Sequence, residues 1–449
     1  MKNRLLTFLP ICAVILLSAS IDLTSLFDYD GQTIPSYVPN NRDNTPNNND
    51  MTDIGATLGR VLFYDKKLSL NSTVSCASCH QQQFAFSDTA TVSKGFNGGF
   101  TGRHSMRLVN ARFGREENFF WDARAATLED QTTRPIQDFA EMGFSGTNGQ
   151  PDLDSLISRM NDISYYPTLF QNSFGTNTIT EERMQFALAQ FIRSIVSFDS
   201  KYDEALANAG GDEDADFALF SAVEEAGKDL FMANQNAGGA GCDRCHNAPT
   251  FDMENDRNNN GVITVAGNPA GTDLTNTRSP SLRDLVNPDG SLNGPMMHDG
   301  SFTTIRQMID HYDNPPFNNN LDGRLRRGGD DGIQSQNLNL SETEKDNLEA
   351  FLLTLTGSNI YTDEKWSDPF DAHGALFLLD GDCEVTNANL TADISGGQHQ
   401  SIASDTIGID CNVAKNASVL YQAGTSITFN EDFELELGSV LTAQIAGCN

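Results

Sequence analysis

Two stretches with helical periodicity dominate the hydrophobic pattern of this chain. Residues 181–198 carry apolar side chains three and four positions apart, as an amphipathic helix does; they are Met184, Leu188, Phe191, Ile192, Ile195 and Val196. Ser341-Glu342-Thr343-Glu344 has the pattern of a capping box that opens another helix. That helix is predicted to bury Leu348, Phe351, Leu352 and Leu355. The pattern therefore predicts a mainly α-helical fold.

A shorter pattern occurs twice. Gly59-Arg60-Val61-Leu62-Phe63 ends 13 positions before Cys76, and Gly227-Lys228-Asp229-Leu230-Phe231 ends 11 positions before Cys242. Each copy predicts a helix that ends in Leu-Phe, then a short loop, then a pair of cysteines. Such an internal repeat indicates a duplicated domain. We predict the two domains in tandem over residues 51–206 and 207–370, with a hinge in the segment 208–214.

The last part of the chain has a different pattern. Residues 371–449 contain no proline and one basic residue, Lys415, and apolar residues alternate with polar ones around 426–429 and 433–437. This alternation predicts a small C-terminal all-β module, with a short stack of rungs as one arrangement. Attachment, packing and stability are all open as its role. Two of its three cysteines, Cys383, Cys411 and Cys448, are predicted to pair, but the sequence does not indicate which two.

The first 20 residues have the pattern of a secretory signal peptide. Lys2 and Arg4 precede an apolar run that ends at Leu17, and small residues follow at 18–20. A retained membrane anchor is disfavoured because the run is short for a bilayer span, and no later segment could cross a membrane. Residues 21–50 include an Asn-, Asp- and Pro-rich stretch at 38–50 and predict a flexible lead-in. We therefore expect a periplasmic protein.

The charge of the chain limits its partners. The formal net charge is −32, and it becomes −34 once Lys2 and Arg4 leave with the signal peptide. This acidity argues against nucleic acid and against an anionic membrane surface. It could steer a small basic redox protein, or it could serve only to keep an exported protein in solution. The sequence does not determine the oligomeric state, and a dimer is compatible with it.

The strongest chemical signal is the pattern C-x-x-C-H, which occurs at Cys76-Ala77-Ser78-Cys79-His80 and at Cys242-Asp243-Arg244-Cys245-His246. In a c-type haem site the two thiols add to the porphyrin and the adjoining imidazole binds the iron. A zinc site would need four ligands close together, whereas these pairs lie 166 positions apart. Two covalently bound haem c groups are therefore predicted, with His80 and His246 as iron ligands, and the two domains are predicted to be cytochrome c-like.

Between the two motifs, the chain resembles the bacterial di-haem cytochrome c peroxidases and their MauG-type relatives. The resemblance covers residues 51–370 and leaves the β module outside. It is carried by several motifs in the family's order. They are Phe119-Phe120-Trp121-Asp122-Ala123-Arg124, Leu128-Glu129-Asp130-Gln131, Pro135-Ile136, Glu141-Met142-Gly143, Pro280-Ser281-Leu282-Arg283 and Pro295-Met296-Met297-His298-Asp299-Gly300-Ser301-Phe302.

The resemblance implies roles for four residues between the haem motifs. Glu141 matches the glutamate that carries a peroxide proton from the near to the far oxygen, so that water leaves rather than hydroxide. Gln131 matches the glutamine that positions peroxide, and Pro135 matches a proline that shapes the same pocket. Trp121 matches the tryptophan between the haems. Taken alone, Glu141 would be interpreted as a surface acid and Trp121 as a core aromatic residue.

The chain departs from the family near His104. We find no match near Phe96 to the loop histidine that blocks the peroxidatic iron in the classical peroxidases. His104 stands where the family has an asparagine that is linked to a calcium ion, so calcium is doubtful, and we expect a structural role for His104. Asp256-Arg257-Asn258-Asn259-Asn260-Gly261 begins like a calcium loop but lacks its closing glutamate.

The sixth ligand of the second haem is left open by the sequence. The peroxidases use a methionine 14 residues after the histidine of their H-D-G motif, and this count from His298 reaches Tyr312. MauG-type enzymes have tyrosine there. A phenolate ligand would stabilise ferric iron and lower the reduction potential. We favour Tyr312, with Met297 as the alternative and His311 as the third choice.

Three functions are compatible with these features. The leading hypothesis is a periplasmic di-haem peroxidase that reduces hydrogen peroxide with electrons from a small redox protein, such as a cytochrome c or a copper protein. The first alternative is a MauG-like oxidase of a protein or organic substrate, which Tyr312 and the missing blocking histidine favour. The second is an electron-transfer cytochrome without turnover, which has no need of the set formed by Trp121, Gln131 and Glu141.

Overall fold

The computed structural model describes residues 20–114, 118–252, 259–329 and 332–379 without a break, and shorter stretches beyond them; these are 385–390, 393–409, 411–414, 416–423, 426–429, 434–436 and 439–445. Residues 26–368 form one compact unit, and residues 20–25 with those from 369 onward form another. The predicted signal peptide lies outside the described residues except for Ser20. None of the described helices is both long and apolar enough to cross a bilayer.

The unit 26–368 is mainly helical. Its helices are α1 (Asp53–Tyr64), α2 (Cys76–Cys79), α3 (Leu128–Thr132), α4 (Leu153–Asn161), α5 (Tyr165–Phe174), α6 (Glu181–Ser194), α7 (Lys201–Asn208), α8 (Ala222–Met232), α9 (Ile305–Asp313) and α10 (Glu342–Leu353). Strand β1 (Ser20–Asp22) belongs to the other unit. Two antiparallel hairpins join the helices, β2 (Thr264–Val265) with β3 (Asn268–Thr272) and β4 (Arg326–Gly329) with β5 (Gly332–Ser335).

Helix α6 lies where the periodic stretch 181–198 predicts it, but it ends at Ser194, four residues early. Thr180 caps it, because its side chain accepts a hydrogen bond from the Arg183 N–H. The predicted apolar face is buried at Met184, Leu188 and Phe191. Helix α10 begins with the predicted capping box between Ser341 and Glu344, and its apolar residues Leu348, Phe351 and Leu352 are buried. Leu355, which the sequence also assigns to this helix, is buried two residues beyond its end at Leu353.

The repeated Gly-x-x-Leu-Phe segments pack in the same way. Gly59 of α1 lies so close to α6 that an added Cβ would come within 2.0 Å of the Ala187 carbonyl oxygen. Gly227 of α8 lies against α10, where a Cβ would come within 1.9 Å of the Asn347 oxygen. The side chain closest to the added Cβ is Phe191 in the first pair and Phe351 in the second. Each of these phenylalanines lies four residues after the residue whose carbonyl is contacted. Close approach of two helices requires a residue without a Cβ at both places.

Helix α7 belongs to the second hydrophobic core, although the predicted boundary at residue 206 would assign it to the first domain. Tyr202 and Leu206 are buried in a cluster that includes Phe251 and Phe351. The rings of Tyr202 and Phe251 lie edge to face, with centroids 4.9 Å apart. The apolar face of α7 is therefore buried in the cluster that contains Phe251 and Phe351.

The Asn-rich lead-in differs from the flexible segment that the sequence predicts. Arg42 is buried, and its guanidinium donates to the Ala248 carbonyl at 2.8 Å and contacts Thr250. Asn49 is also buried and donates to Glu129 at 2.8 Å. Composition suggests disorder for such polar sequences, but these side chains satisfy buried polar groups of the helical unit, and this fixes the segment.

The second unit consists of strands. They are β6 (Phe377–Leu379), β7 (Val385–Leu390), β8 (Gly397–Ile409), β9 (Asn412–Val413), β10 (Ala417–Ala423), β11 (Ser426–Phe429), β12 (Glu434–Leu435) and β13 (Val440–Ile445). Each strand pair that the structure describes in this unit is parallel, including β1 with β6. Ser418 pairs with Gln398 on one side and Val440 on the other. Parallel neighbours so close in sequence are typical of a coiled stack of strands.

Candidate active site

The first cysteine pair lies on the short helix α2, which Ser75 and Ser78 cap reciprocally. His80 follows at its end, and its Nδ1 lies 3.1 Å from the Phe86 carbonyl oxygen. Since a carbonyl can only accept, Nδ1 carries the proton and Nε2 keeps its lone pair. Burial lowers the pKa of His80 and favours the neutral ring. A neutral imidazole with Nδ1 tied to a carbonyl is the form that binds a metal through Nε2.

The second cysteine pair repeats this arrangement. Cys242 begins a single 3₁₀ turn, and the Nδ1 of His246 lies 3.2 Å from the Phe251 carbonyl oxygen. Burial lowers the pKa of His246 to about 4. Each pair lines its own cavity together with its histidine, and the cavity at Cys76 and Cys79 has a volume of about 480 Å³. Two such sites fit two haem groups, each of which would be held by two thiols and one imidazole.

Glu141, Gln131 and Pro135 line the same cavity as His80. Gln131 lies on α3, and the chain then folds back so that the Met142 N–H donates to the Pro135 carbonyl at 3.2 Å. Burial, and then the nearby Asp138 carboxylate, raise the pKa of Glu141 to about 7. A carboxyl group with this pKa can both take and return a proton near neutral pH. The fold thus brings together residues that are up to 61 positions apart.

Trp121 lines both cavities. Its indole Nε1 donates to the His104 carbonyl at 2.7 Å, and its own carbonyl accepts from the Arg278 N–H at 2.8 Å. The ring lies edge to face with the ring of His298, and the centroids are 6.3 Å apart. These contacts fix an aromatic side chain between the two predicted haem sites.

Tyr312 and Met297 both line the cavity of His246. Tyr312 lies on α9, and burial raises the pKa of its phenol to about 12. The amide of Asn260 lies 3.2 Å from the Tyr312 oxygen and 3.4 Å from the Met297 sulfur. His311 is turned to the Asn260 carbonyl, with Nε2 2.8 Å from that oxygen. Tyr312 and Met297 therefore both contact the side-chain amide of Asn260, whereas His311 is hydrogen-bonded to the backbone carbonyl of the same residue.

Comparison with known proteins agrees with this geometry. Residues 54–211 match the model of the di-haem cytochrome c peroxidase family. The methylamine utilization protein MauG of Methylophilus methylotrophus is 31% identical over 329 residues, which cover 72% of this chain and 87% of that protein. The chain belongs to the di-haem cytochrome c peroxidase family. It is therefore an oxidoreductase.

Members of the family with different names resemble this chain to similar degrees. The cytochrome c551 peroxidase of Nitrosomonas europaea is 28% identical over 325 residues, covering 70% of this chain and 82% of that one. The solved structure of a MauG-like protein associated with microbial copper homeostasis has a TM-score of 0.59 and 29% identity, and covers 75% of this chain and 98% of that chain. The similarity thus supports the di-haem peroxidase fold but does not separate a peroxidase from an oxidase.

His104 has the structural surroundings that the sequence predicts for it. Its Nδ1 lies 3.0 Å from the Ala90 carbonyl oxygen and its Nε2 lies 3.4 Å from the Ser87 hydroxyl. Burial lowers the pKa of His104 to about 4. Calcium prefers oxygen ligands, and a neutral imidazole with both nitrogens engaged does not fit it. Asn259 and Asn260 direct their side-chain oxygens to backbone N–H groups of their own turn, and Asp256, Arg257 and Asn258 lie outside the described residues.

Sequence reasoning missed the arginines around the two cavities of this family member. Arg107 and Arg278 line both cavities, and the buried Nε of Arg107 has no hydrogen-bond partner among the described residues. Arg103 lines the first cavity and pairs with Asp273 at 2.8 Å and with Asp122 at 3.2 Å. A buried guanidinium group whose Nε–H has no partner among the described residues fits the carboxylates of a haem. The spacing Arg103-x-x-x-Arg107 could have drawn attention to two of these three arginines.

Proposed function

We propose that this protein is a periplasmic di-haem c peroxidase that reduces hydrogen peroxide to water with electrons from a small redox protein, a cytochrome c or a copper protein. The overall reaction consumes one peroxide, two electrons and two protons and yields two waters. The observation that carries the proposal is Glu141, whose carboxyl group has a pKa of about 7 in a cavity that it shares with Gln131 and His80. An electron carrier has no need of such a group.

Two haem c groups would be held by the two motifs. Cys76 and Cys79 would form thioether bonds to the first haem, with His80 as iron ligand, and Cys242, Cys245 and His246 would do the same for the second. Support comes from the repeated hydrogen bond of each histidine to a carbonyl group. When bound, the haems supply a site where peroxide can bind iron and a store for the incoming electrons.

Glu141 would move one proton within the bound peroxide. Its carboxylate would accept the proton of the near oxygen and return it to the far oxygen, which then leaves as water instead of hydroxide. Gln131 would hold the peroxide by a hydrogen bond, and Pro135 would shape the pocket wall. The pKa of Glu141 near 7 supports this role, because the group can then both gain and lose a proton at the working pH.

Trp121 would lie on the electron path from the second site to the first. Its place on the walls of both cavities supports this. Tyr312 would fill the sixth position of the second haem, with Met297 as the alternative, so that peroxide reacts at the first haem alone. Calcium has no part in this proposal, because the position that the family links to it holds His104.

The organisation we propose is a signal peptide at 1–20, two cytochrome c-like domains in tandem and a small β module at 371–449. The equal packing of Gly59 against α6 and Gly227 against α10 supports the duplication. The parallel strands beyond residue 376 support a separate β module, with no chemistry assigned to it. Cys411 is buried there, while Cys383 and Cys448 lie outside the described residues.

A MauG-like oxidase of a protein or organic substrate is the second candidate. The position of Tyr312 in the second cavity favours it, and so does the identity of about 31% to a MauG protein. In that case the electrons would come from the substrate, and peroxide would still react beside Glu141.

Steady-state kinetics on the purified protein with both haems attached tests the proposal. We expect peroxide consumption with reduced cytochrome c or a reduced small copper protein as donor, and we expect Glu141→Gln to slow it by about a hundredfold or more while both haems stay attached. No donor oxidation, together with a long-lived doubly oxidised form after peroxide addition, would favour the oxidase. Absence of any reaction with peroxide would overturn both and leave an electron-transfer cytochrome.

A further inference from the structure

Asn260 lies between the two candidate sixth ligands of the second haem. Its side-chain nitrogen is 3.2 Å from the phenol oxygen of Tyr312 and 3.4 Å from the sulfur of Met297. All three residues line the cavity of His246. A single NH₂ group therefore contacts both atoms that could bind the second iron.

The local backbone fixes the orientation of this amide. The Asn260 side-chain oxygen accepts a hydrogen bond from the Val262 N–H at 3.1 Å. Since that oxygen is committed to the turn, the NH₂ end must face Tyr312 and Met297. The preceding residue is fixed as well, because the Asn259 side-chain oxygen accepts from the Gly261 N–H at 3.0 Å and from the Asn318 amide at 2.8 Å.

The same residue holds the third candidate away. The backbone carbonyl of Asn260 accepts a hydrogen bond from His311 Nε2 at 2.8 Å. The rings of His311 and Tyr312 both lie near the end of α9, and their centroids are 5.1 Å apart. His311 would have to give up this bond before its Nε2 could reach a metal.

The hydrogen bonds that the Asn260 amide donates to Tyr312 and to Met297 differ in strength. An N–H group that donates to the tyrosine oxygen is strengthened when that oxygen carries negative charge, because charge-assisted hydrogen bonds are about twice as strong as neutral ones. A thioether sulfur is a weak acceptor, and a sulfur that is held by an N–H group has one lone pair less for iron. Both effects favour oxygen over sulfur as the ligand.

We propose that Asn260 is the positioning residue that selects Tyr312 over Met297 as the sixth ligand of the second haem, by donating to the phenolate oxygen, engaging the thioether sulfur and holding His311 through its carbonyl group. This inference rests on the proposed second haem but not on the reaction at the first. Asn260 does not line the first cavity.

The decisive variant is Asn260→Asp. It keeps the oxygen that accepts from the Val262 N–H, and so preserves the turn, but it removes both donated hydrogen bonds. Asn260→Ala is the second variant, in case the new carboxylate disturbs haem attachment. Asn318→Ala is the matched control, because it removes a hydrogen bond from the same turn and leaves the Asn260 amide in place.

The readout is the spectrum and reduction potential of the second haem in the ferric protein with both haems attached. We expect the tyrosinate signature of the natural protein to be lost in Asn260→Asp and Asn260→Ala, a sulfur-to-iron band to appear, and the potential to shift to more positive values. Met297→Leu combined with Asn260→Asp should remove the sulfur band. Asn318→Ala should retain the spectrum of the natural protein.

Three results would overturn the inference. The first is an unchanged tyrosinate signature and potential in Asn260→Asp, and the second is a loss of that signature without a sulfur band. The third is a spectrum that does not change in Tyr312→Phe, since Tyr312 would then not be the ligand. None of these results concerns the peroxide reaction beside Glu141, so failure here is distinguishable from failure of the proposed function.

Discussion

The indole nitrogen of Trp121 donates a 2.7 Å hydrogen bond to the backbone carbonyl of His104. This bond connects the Trp121 ring, which lies between the two cavities, to His104, where the sequence of this chain departs from the family pattern. His104 is itself held on both ring nitrogens, by Ala90 and Ser87. A hydrogen-bonded imidazole thus stabilises the wall between the two cavities where the family pattern has an asparagine.

Trp121→Phe should slow the transfer of electrons to peroxide. Phenylalanine is harder to oxidise than tryptophan and leaves the His104 carbonyl without its donor. We expect kcat with a reduced cytochrome to fall about tenfold, which corresponds to ~1.4 kcal/mol, while the rate of the first reaction with peroxide stays the same. The measurement is stopped-flow and steady-state kinetics on the same preparation.

Trp366→Phe is the matched control for this prediction. Trp366 is the other of the two tryptophans, is buried, and donates to the Ser194 hydroxyl at 3.1 Å, but it lines neither cavity. The Trp366→Phe variant should be less stable than the natural protein but should show no selective loss of kcat. Equal kinetic effects of the two substitutions would remove Trp121 from the electron path.

The reaction with peroxide should depend on pH through Glu141. Only the carboxylate can accept a proton, and burial raises the pKa of this group to about 7. The rate should therefore fall as the pH decreases through 7, and Glu141→Gln should lower it by about a hundredfold or more and abolish this dependence. Stopped-flow absorbance at a series of pH values measures both effects.

Asp138→Asn refines this test. The Asp138 carboxylate contributes to the raised pKa of Glu141, and its side-chain oxygen accepts from the Ala140 and Glu141 N–H groups. Asparagine can keep these bonds without the charge, so the acidic limb of the profile should move to lower pH. A limb that stays in place, or moves upward, would contradict the assignment of that limb to Glu141.

The repeated glycines should be sensitive to a single methyl group. Gly59→Ala would drive a Cβ into the Ala187 carbonyl oxygen and Gly227→Ala would drive one into the Asn347 oxygen. We expect each substitution to reduce the free energy of unfolding by about 1–3 kcal/mol, as other overpacked substitutions do. Chemical denaturation of the haem-loaded protein measures this, with Gly328→Ala as control because no atom of the described residues lies within 4 Å of its added Cβ. A similar loss for Gly328→Ala would argue against the packing explanation.

A buried ion pair should stabilise the helix that carries Gln131. Arg193 of α6 donates to both oxygens of Glu129 on α3, at 2.6 and 3.1 Å. Burial pushes the pKa of Glu129 upward, but the hydrogen bonds and charge of Arg193 outweigh it, so the pKa lies below its usual value. This stabilisation is present at neutral pH and is lost as the pH falls through the lowered pKa.

Glu129→Gln should therefore destabilise the protein by about 3–5 kcal/mol at neutral pH, because Arg193 would be left as a buried unpaired charge. The exposed pair of Arg134 and Asp130 supplies the control, since Arg134→Ala removes a surface ion pair worth at most about 1 kcal/mol. Denaturant titration compares the two. Equal losses would mean that Glu129 and Arg193 do not form the stabilising pair.

The sequence by itself determined the parts of this protein that depend on local spacing. Two C-x-x-C-H motifs indicate haem sites because attachment requires that spacing within five residues, and the periodicity around Met184 and Leu348 predicts α6 and α10 because burial of one face requires it. The order of motifs from Trp121 to Glu141 was sufficient to indicate the family, which the comparison with known proteins confirmed.

Only the tertiary structure decided the features that depend on side chains distant in sequence. Burial in a shared cavity gives Glu141 its raised pKa, and packing against Phe251 and Phe351 moves α7 into the second core. Contacts of Arg42 and Asn49 with buried groups fix a segment whose composition suggests disorder. The amide of Asn260 reaches Tyr312 across 52 positions of sequence. Such effects arise from desolvation and from pairing of polar groups, which depend on what surrounds a residue in space and leave no periodic pattern along the chain.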